Sequence, residues 1–169
     1  MAATGSTGLY TPTQRARRDA TVWTPVQAVL APLQFLVFLV SLGLVIYSLR
    51  TGQATDWALG SVVAKTLLLY AIMVTGCIWE KVVFGQYLFA PAFFWEDVVS
   101  MAVMALHTAY LVVWLQGRWS ASELLALALS AYAAYAFNAL QYLRKLRQAR
   151  LQGRGHATAA PALPEGAHP

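Results

Sequence analysis

One cysteine, Cys77, is all the chain carries, which excludes an intrachain disulfide and a cysteine-built metal cluster. Lying inside an apolar run, it reads as a small packing residue. Charge is also scarce. Only 11% of the residues are Asp, Glu, Lys or Arg, against about 25% in a water-soluble domain. No glycine-rich phosphate loop, paired-histidine helix motif or serine nucleophile elbow is present, and no internal repeat. His156 and His168 stand near the C-terminus without ligand partners. These absences argue against nucleotide chemistry and against a redox enzyme with its own protein-bound metal, leaving acid–base chemistry or binding. The net charge of +5 does not imply nucleic acid as a partner, because the basic residues gather at the ends of apolar runs.

What the chain has in abundance is apolar surface: 59% of its residues are hydrophobic and the mean hydropathy is +0.53. The expected fold class is an all-α integral membrane protein of one domain, a four-transmembrane-helix bundle. An N-terminal arm, 1–24, precedes it. Met1–Gly8 is expected to be disordered, and Tyr10–Thr24 to form a short surface helix capped by Thr11 with Pro12 in its first turn. The first apolar run, Val26–Leu49, is longer than the hydrophobic part of a signal peptide and lacks a convincing cleavage site, so it reads as a retained span. Pro32 should kink it or mark its early turn, and Gln27 and Gln34 add polar groups near the same end. Further spans are expected at Trp57–Trp79, Glu96–Leu115 and Ala121–Leu143. Each is near the ~20 residues that cross ~30 Å of hydrocarbon. The transmembrane domain thus occupies 25–150, followed by a disordered tail, 151–169, of Ala, Pro and Gly.

Basic residues set the expected orientation. Arg15, Arg17, Arg18, Lys81, Arg144, Lys145, Arg147, Arg150 and Arg154 fall on one side, and only Arg50 and Arg118 on the other. Both termini are therefore expected in the cytoplasm. Tryptophans mark both interfaces: Trp23, Trp79 and Trp95 at one level, Trp57, Trp114 and Trp119 at the other.

Between the second and third spans lies Ile78–Asp97, IWEKVVFGQYLFAPAFFWED. It holds three of the seven acidic residues, Glu80, Glu96 and Asp97, and seven of the twenty-one aromatics, Trp79, Phe84, Tyr87, Phe89, Phe93, Phe94 and Trp95. Its uncharged middle, Val82–Phe94, would reach only ~20 Å as a helix, and Gly85 and Pro91 argue against one unbroken helix. A short re-entrant or interfacial aromatic segment is expected, its carboxylates forming the floor of a site for a flat, apolar ligand.

Polar residues within spans are costly and are functional candidates. Glu96, Ser100, Val103 and His107 share one face of a 3.6-residue repeat that leads to mid-membrane. His107 either takes part in chemistry or bonds between helices. Asp97 points about 100° away from Glu96 and either joins the site or merely complements a helix N-terminus. Glu80 belongs to the same site or forms an interfacial pair with Lys81. Lys65 is expected to snorkel to the far surface. Tyr135, Asn138 and Tyr142 form a polar aromatic face, with Asn138 bonding between helices or touching ligand.

The strings LYTPTQRARRDATVWTPVQAVLAPLQFLVFLVSLGLV (Leu9–Val45) and TGCIWEKVVFGQYLFAPAFFWEDVVSMAVMALHTAYL (Thr75–Leu111) resemble the vinyl (bacterio)chlorophyllide hydratase family, also called chlorophyllide a 3¹-hydratase. The resemblance extends over roughly Leu9 to Arg150. It implies a hydro-lyase that adds water to the C3-vinyl group of chlorophyllide a or 3-vinyl bacteriochlorophyllide a, giving a 1-hydroxyethyl group in bacteriochlorophyll synthesis. No cofactor is implied, since the Mg ion is carried by the substrate.

Under that resemblance the chemistry needs a proton donor, a base for the water and negative charge beside a macrocycle-stabilised cation. A carboxyl held against aromatic rings keeps its proton nearer neutral pH. Glu96 is assigned as donor, Glu80 or Asp97 as the group activating water, and His107 as ligand to the substrate Mg or as proton relay. Lys81 or an arginine near Arg144 would meet the propionate, and Trp79, Tyr87, Phe93, Phe94, Trp95, Ser100 and Asn138 would contact the pigment. Expected partners are the pigment and the lipid bilayer, with neighbouring pathway enzymes and a second copy as candidates, and no nucleic acid. Two other readings stand beside this one: a non-catalytic pigment-binding or assembly subunit of a photosynthetic complex, and a small transporter subunit, weakened because no charged path crosses the full membrane.

Overall fold

The computed structural model describes residues 9–158, with side chains as far as Gln148. The described residues are helical, without a strand: α1 (Pro12–Ala20), α2 (Trp23–Thr51), α3 (Thr55–Phe84), α4 (Phe94–Gln116) and α5 (Ala121–Thr158). The Thr11 cap is a full capping box. Its hydroxyl accepts from the Gln14 N–H at 3.3 Å, and its own N–H donates to Gln14 Oε1 at 2.9 Å, with Pro12 opening α1 where no N–H is needed.

The four long helices form two antiparallel hairpins. In the first, Gly52 ends α2 at φ +68°, a conformation that costs glycine nothing, and Ser48 Oγ meets Thr55 Oγ1 at 3.0 Å across the turn. In the second, Gly117 ends α4 at φ +62°, and Ser120 and Glu123 cap α5 reciprocally at 2.6–3.4 Å. α5 packs against α2 and α3, and α3 against α4, while α1 lies along α3. One end of the bundle therefore gathers α1, the α3–α4 connection and the latter part of α5.

All four long helices are apolar and long enough to cross a membrane. Leu36, Val40, Leu67, Val74, Val112, Leu115 and Leu140 face outward, while Gln34, Ser41, Lys65, Thr66, His107 and Asn138 are buried among Phe38, Val62, Val103 and Tyr132. Three expectations need adjustment. α2 runs through Pro32 from an earlier start, Trp23. α5 continues to Thr158 instead of giving way to a tail at 151, its Arg, Leu, Gln and Ala residues being strong helix formers. Lys65 does not snorkel: it is 0% exposed, its Nζ 3.6 Å from the centroid of the Tyr135 ring. The remaining stretches expected to be disordered, 1–8 and 159–169, lie outside the described residues.

Candidate active site

α3 stops because Gly85 takes φ +88° and returns its N–H to the Lys81 carbonyl at 3.0 Å. Nine non-helical residues, 85–93, follow before α4 begins. Within them the Phe93 N–H closes a turn onto the Ala90 carbonyl at 2.8 Å, and Phe89 sits at φ +61°. That backbone is unfavourable for a residue with a Cβ, by about 1–2 kcal/mol. Its result is visible: the Phe89 N–H donates to Asp97 Oδ2 at 2.7 Å.

Glu80, near the end of α3, and Asp97, in the first turn of α4, are 5% and 2% exposed. Consecutive backbone N–H groups tie the two together: Phe89 donates to Asp97 Oδ2 at 2.7 Å and Ala90 to Glu80 Oε2 at 3.5 Å. Two carboxyl groups buried in one place disfavour ionisation of both at once. Tyr142 of α5 reaches the same end, stacked on Phe93, and one turn along α4 from Asp97, Ser100 Oγ accepts from Asn138 Nδ2 at 2.8 Å.

Glu96 diverges from its neighbour, as the 100° step between successive helical residues requires. It is buried like Asp97, yet its Oε2 accepts from Lys145 Nζ at 2.8 Å. A cleft of about 230 Å³ opens beside this pair, lined by Glu96, Gln141, Arg144, Lys145 and Gln148.

The aromatics divide into two groups. Trp79, Phe84, Phe93 and Tyr10 pack together with centroids 5.8–6.4 Å apart, and Tyr142 stacks on Phe93 at 6.2 Å. Edge and offset contacts of this kind add about 0.5–1.5 kcal/mol each beyond burial, and they hold the arm, α3 and α5 around the carboxyl pair. Trp79 Nε1 also donates to Thr24 Oγ1 at 3.0 Å. Tyr87, Phe89, Phe94 and Trp95 form an outer, exposed group, 40–69% accessible.

The structure brings together Glu80, Asp97, Ser100, Asn138, Trp79 and Phe93. It sets Tyr87, Phe94 and Trp95 on the outside and turns Lys81 to another task, its Nζ donating to the Gly85 carbonyl at 2.8 Å rather than meeting Glu80. His107 is buried two turns deeper, its Nδ1 2.9 Å from the Val103 carbonyl and its ring 5.9 Å from Tyr132. Sequence reasoning treated Glu80 and Asp97 separately and gave no role to Lys145 or Tyr142 at this end. The only signal for Tyr142 was its place on the Tyr135–Asn138 face, and for Lys145, 49 residues from its partner, there was none.

A family model described as 2-vinyl bacteriochlorophyllide hydratase (BCHF) matches residues 10–148. The chain belongs to this hydratase family. A relative in Cereibacter sphaeroides named 2-vinyl bacteriochlorophyllide hydratase is 64% identical over 143 residues, covering 85% of this chain and 89% of the relative. One of the same name in Rhodobacter capsulatus is 65% identical over 144 residues, covering 85% and 84%. No solved structure matches the chain. The family match takes in every residue of the site, from Tyr10 in the aromatic cluster to Lys145 beside Glu96.

Proposed function

We propose that the protein adds water to the vinyl group of a bacteriochlorophyllide, or of chlorophyllide a, at the end of a four-span bundle that carries α1 and the α3–α4 connection. Membership of the hydratase family supports the reaction class. The observation that carries the mechanism is the Glu80–Asp97 pair, two buried carboxyl groups held on the consecutive N–H groups of Ala90 and Phe89; in the mechanism one holds a proton and the other takes one.

The reaction needs both. The proton passes to the terminal CH2 of the vinyl group, leaving a cation on the carbon attached to the macrocycle, where the ring system delocalises it. Water attacks that carbon, and the carboxylate of the pair takes the proton the water loses. One water has been added, the product is a 1-hydroxyethyl group, and the pair ends with the single proton it began with. The second carboxylate also places negative charge near the developing cation. Glu96 is a weaker candidate for donor than its neighbours, because its Oε2 is already engaged by Lys145 Nζ at 2.8 Å. Its role is to hold Lys145 at the cleft that Arg144 also lines, where the carboxylate of the pigment would bind as an ion pair. At about 230 Å³ the cleft is below the ~300–1,000 Å³ of pockets that enclose a whole ligand. It suits the pigment's carboxylate edge, while the outer group Tyr87, Phe89, Phe94 and Trp95 offers its faces to the rings.

Nine basic residues against two favour the carboxyl-pair end on the cytoplasmic side. The exposed aromatic segment then lies at the membrane surface, where a flat apolar substrate arrives. The test is incubation of detergent-purified protein with the vinyl pigment, following the absorption change and the mass gain of one water. Glu80→Gln and Asp97→Asn should bind pigment and turn over poorly. Pigment recovered unchanged from the wild-type protein would instead favour a non-catalytic binding subunit.

A further inference from the structure

Asn138 donates to Ser100 one turn along α4 from Asp97, and the buried polar groups continue beyond it. Asn138 Oδ1 has no partner among the described residues, nor have both amide atoms of Gln34, Lys65 Nζ and His107 Nε2. All four side chains are 0–9% exposed. They come from four different helices and occupy neighbouring levels. Phe38 on α2 packs on Tyr135 of α5 at 4.8 Å; Gln34 is four residues before Phe38 and Asn138 three after Tyr135, both toward the carboxyl-pair end. Ser100 and His107 lie two turns apart on the inner face of α4; the His107 ring is 5.9 Å from that of Tyr132, and Lys65 Nζ is 3.6 Å from the ring of Tyr135, three residues further along α5. At the deep limit Tyr132, Ser41 and Ser61 are joined by hydroxyl bonds of 2.5–2.6 Å.

Donors and acceptors alternate along this file. A carbonyl only accepts, so His107 Nδ1 must carry the proton it gives to Val103, and in the singly protonated ring Nε2 is an acceptor. Lys65 offers donors, Asn138 Oδ1 an acceptor and Gln34 both. Leaving a buried polar atom unpaired costs about 1–3 kcal/mol, so several in one place call for an occupant that bonds to all of them. Water fits: it needs only ~10–15 Å³ and two to four polar partners, and it both donates and accepts.

We infer that the mid-bundle set Gln34, Asn138, Lys65 and His107 is an internal water-binding compartment that reaches toward the carboxyl pair through Asn138 and Ser100. This rests on the hydratase reading for its purpose, though not for its existence. Water is the second substrate, and a reaction centre walled by aromatics and covered by an apolar pigment needs a supply that the pigment does not block. The four side chains are positioning residues for that water and touch no pigment.

Radiolytic hydroxyl labelling of the pigment-free protein tests the compartment directly, because radicals formed from bound water mark adjacent side chains even in a buried interior. Tyr132 and Tyr135, 2% and 8% exposed, should label in the wild-type protein, and the label should be lost in the Gln34→Leu and Lys65→Met variants. Labelling of these tyrosines at the level of buried apolar side chains elsewhere in the wild type would overturn the inference without any variant having to fold. In turnover, Gln34→Leu should lower kcat and leave KM for the pigment unchanged; an unchanged kcat would overturn the supply role. Because the labelling is done without pigment, its failure leaves the hydratase reading standing. A protein that adds no water to the pigment would fail that reading with the labelling result intact.

Discussion

Replacing Asp97 by asparagine separates the chemistry of the site from its architecture. The amide keeps the shape of the carboxyl group. Its Oδ1 still accepts the Phe89 N–H now bonded at 2.7 Å. The net change in folding free energy should stay within about 1 kcal/mol, the value of one typical hydrogen bond. The pair, however, loses its exchangeable proton and one of its two carboxyl groups. General acid or base assistance is worth about 10²–10⁴-fold, or ~2.7–5.4 kcal/mol of barrier, so kcat should fall by that range with KM little altered. Asp97→Ala is the contrast: it strips the acceptor from the Phe89 N–H and the partner from Glu80, and should cost stability as well, by about 1–3 kcal/mol. Turnover of the vinyl pigment, followed by absorption and mass, with thermal unfolding in the same detergent, reads both quantities. Asparagine at 97 with turnover within about tenfold of wild type would refute the shared-proton mechanism.

Lys145→Met should raise KM for the pigment by roughly tenfold to a hundredfold, the worth of a charge-assisted hydrogen bond of about 1.5–3 kcal/mol, with kcat nearly unchanged; titration of pigment into each protein checks it. Glu96→Gln should keep turnover within about tenfold of wild type, whereas the collapse of about 10²–10⁴-fold expected of a proton donor would return that role to Glu96. Gly85→Ala meets open space, with no atom within 4 Å of the new Cβ, so its cost is the backbone strain of φ +88° alone, about 1–2 kcal/mol in thermal or denaturant unfolding. Trp79→Phe removes the bond to Thr24 and should destabilise by about 1 kcal/mol.

Much of the architecture could be read from hydropathy, because four long apolar runs separated by glycine-bearing turns leave little choice of topology. The inner face of α4 followed equally from spacing: Glu96, Ser100, Val103 and His107 recur at helical intervals, and all four are buried. The pairing of Glu80 and Asp97 had no such signature. It depends on Phe89 adopting a left-handed backbone and on a turn at Ala90–Phe93 that folds α4 back beside α3. Lys65 illustrates the same limit. A lysine ten residues into a span can reach either the surface or an aromatic ring, and which it does is decided by Tyr135, seventy residues later in the chain.

That dependence on α5 has a consequence for how the chain is made. A lysine near the centre of a helix costs about 2.5–3.5 kcal/mol where that helix enters a bilayer, and the ring on which Lys65 rests belongs to α5, which follows α3 and α4 in the chain. Until α5 arrives, the middle of α3 has an amine with no aromatic ring to cover it. A chain truncated in the 117–120 turn should therefore be cleared as a misassembled polypeptide, even though three of its helices are apolar enough to stay in a bilayer.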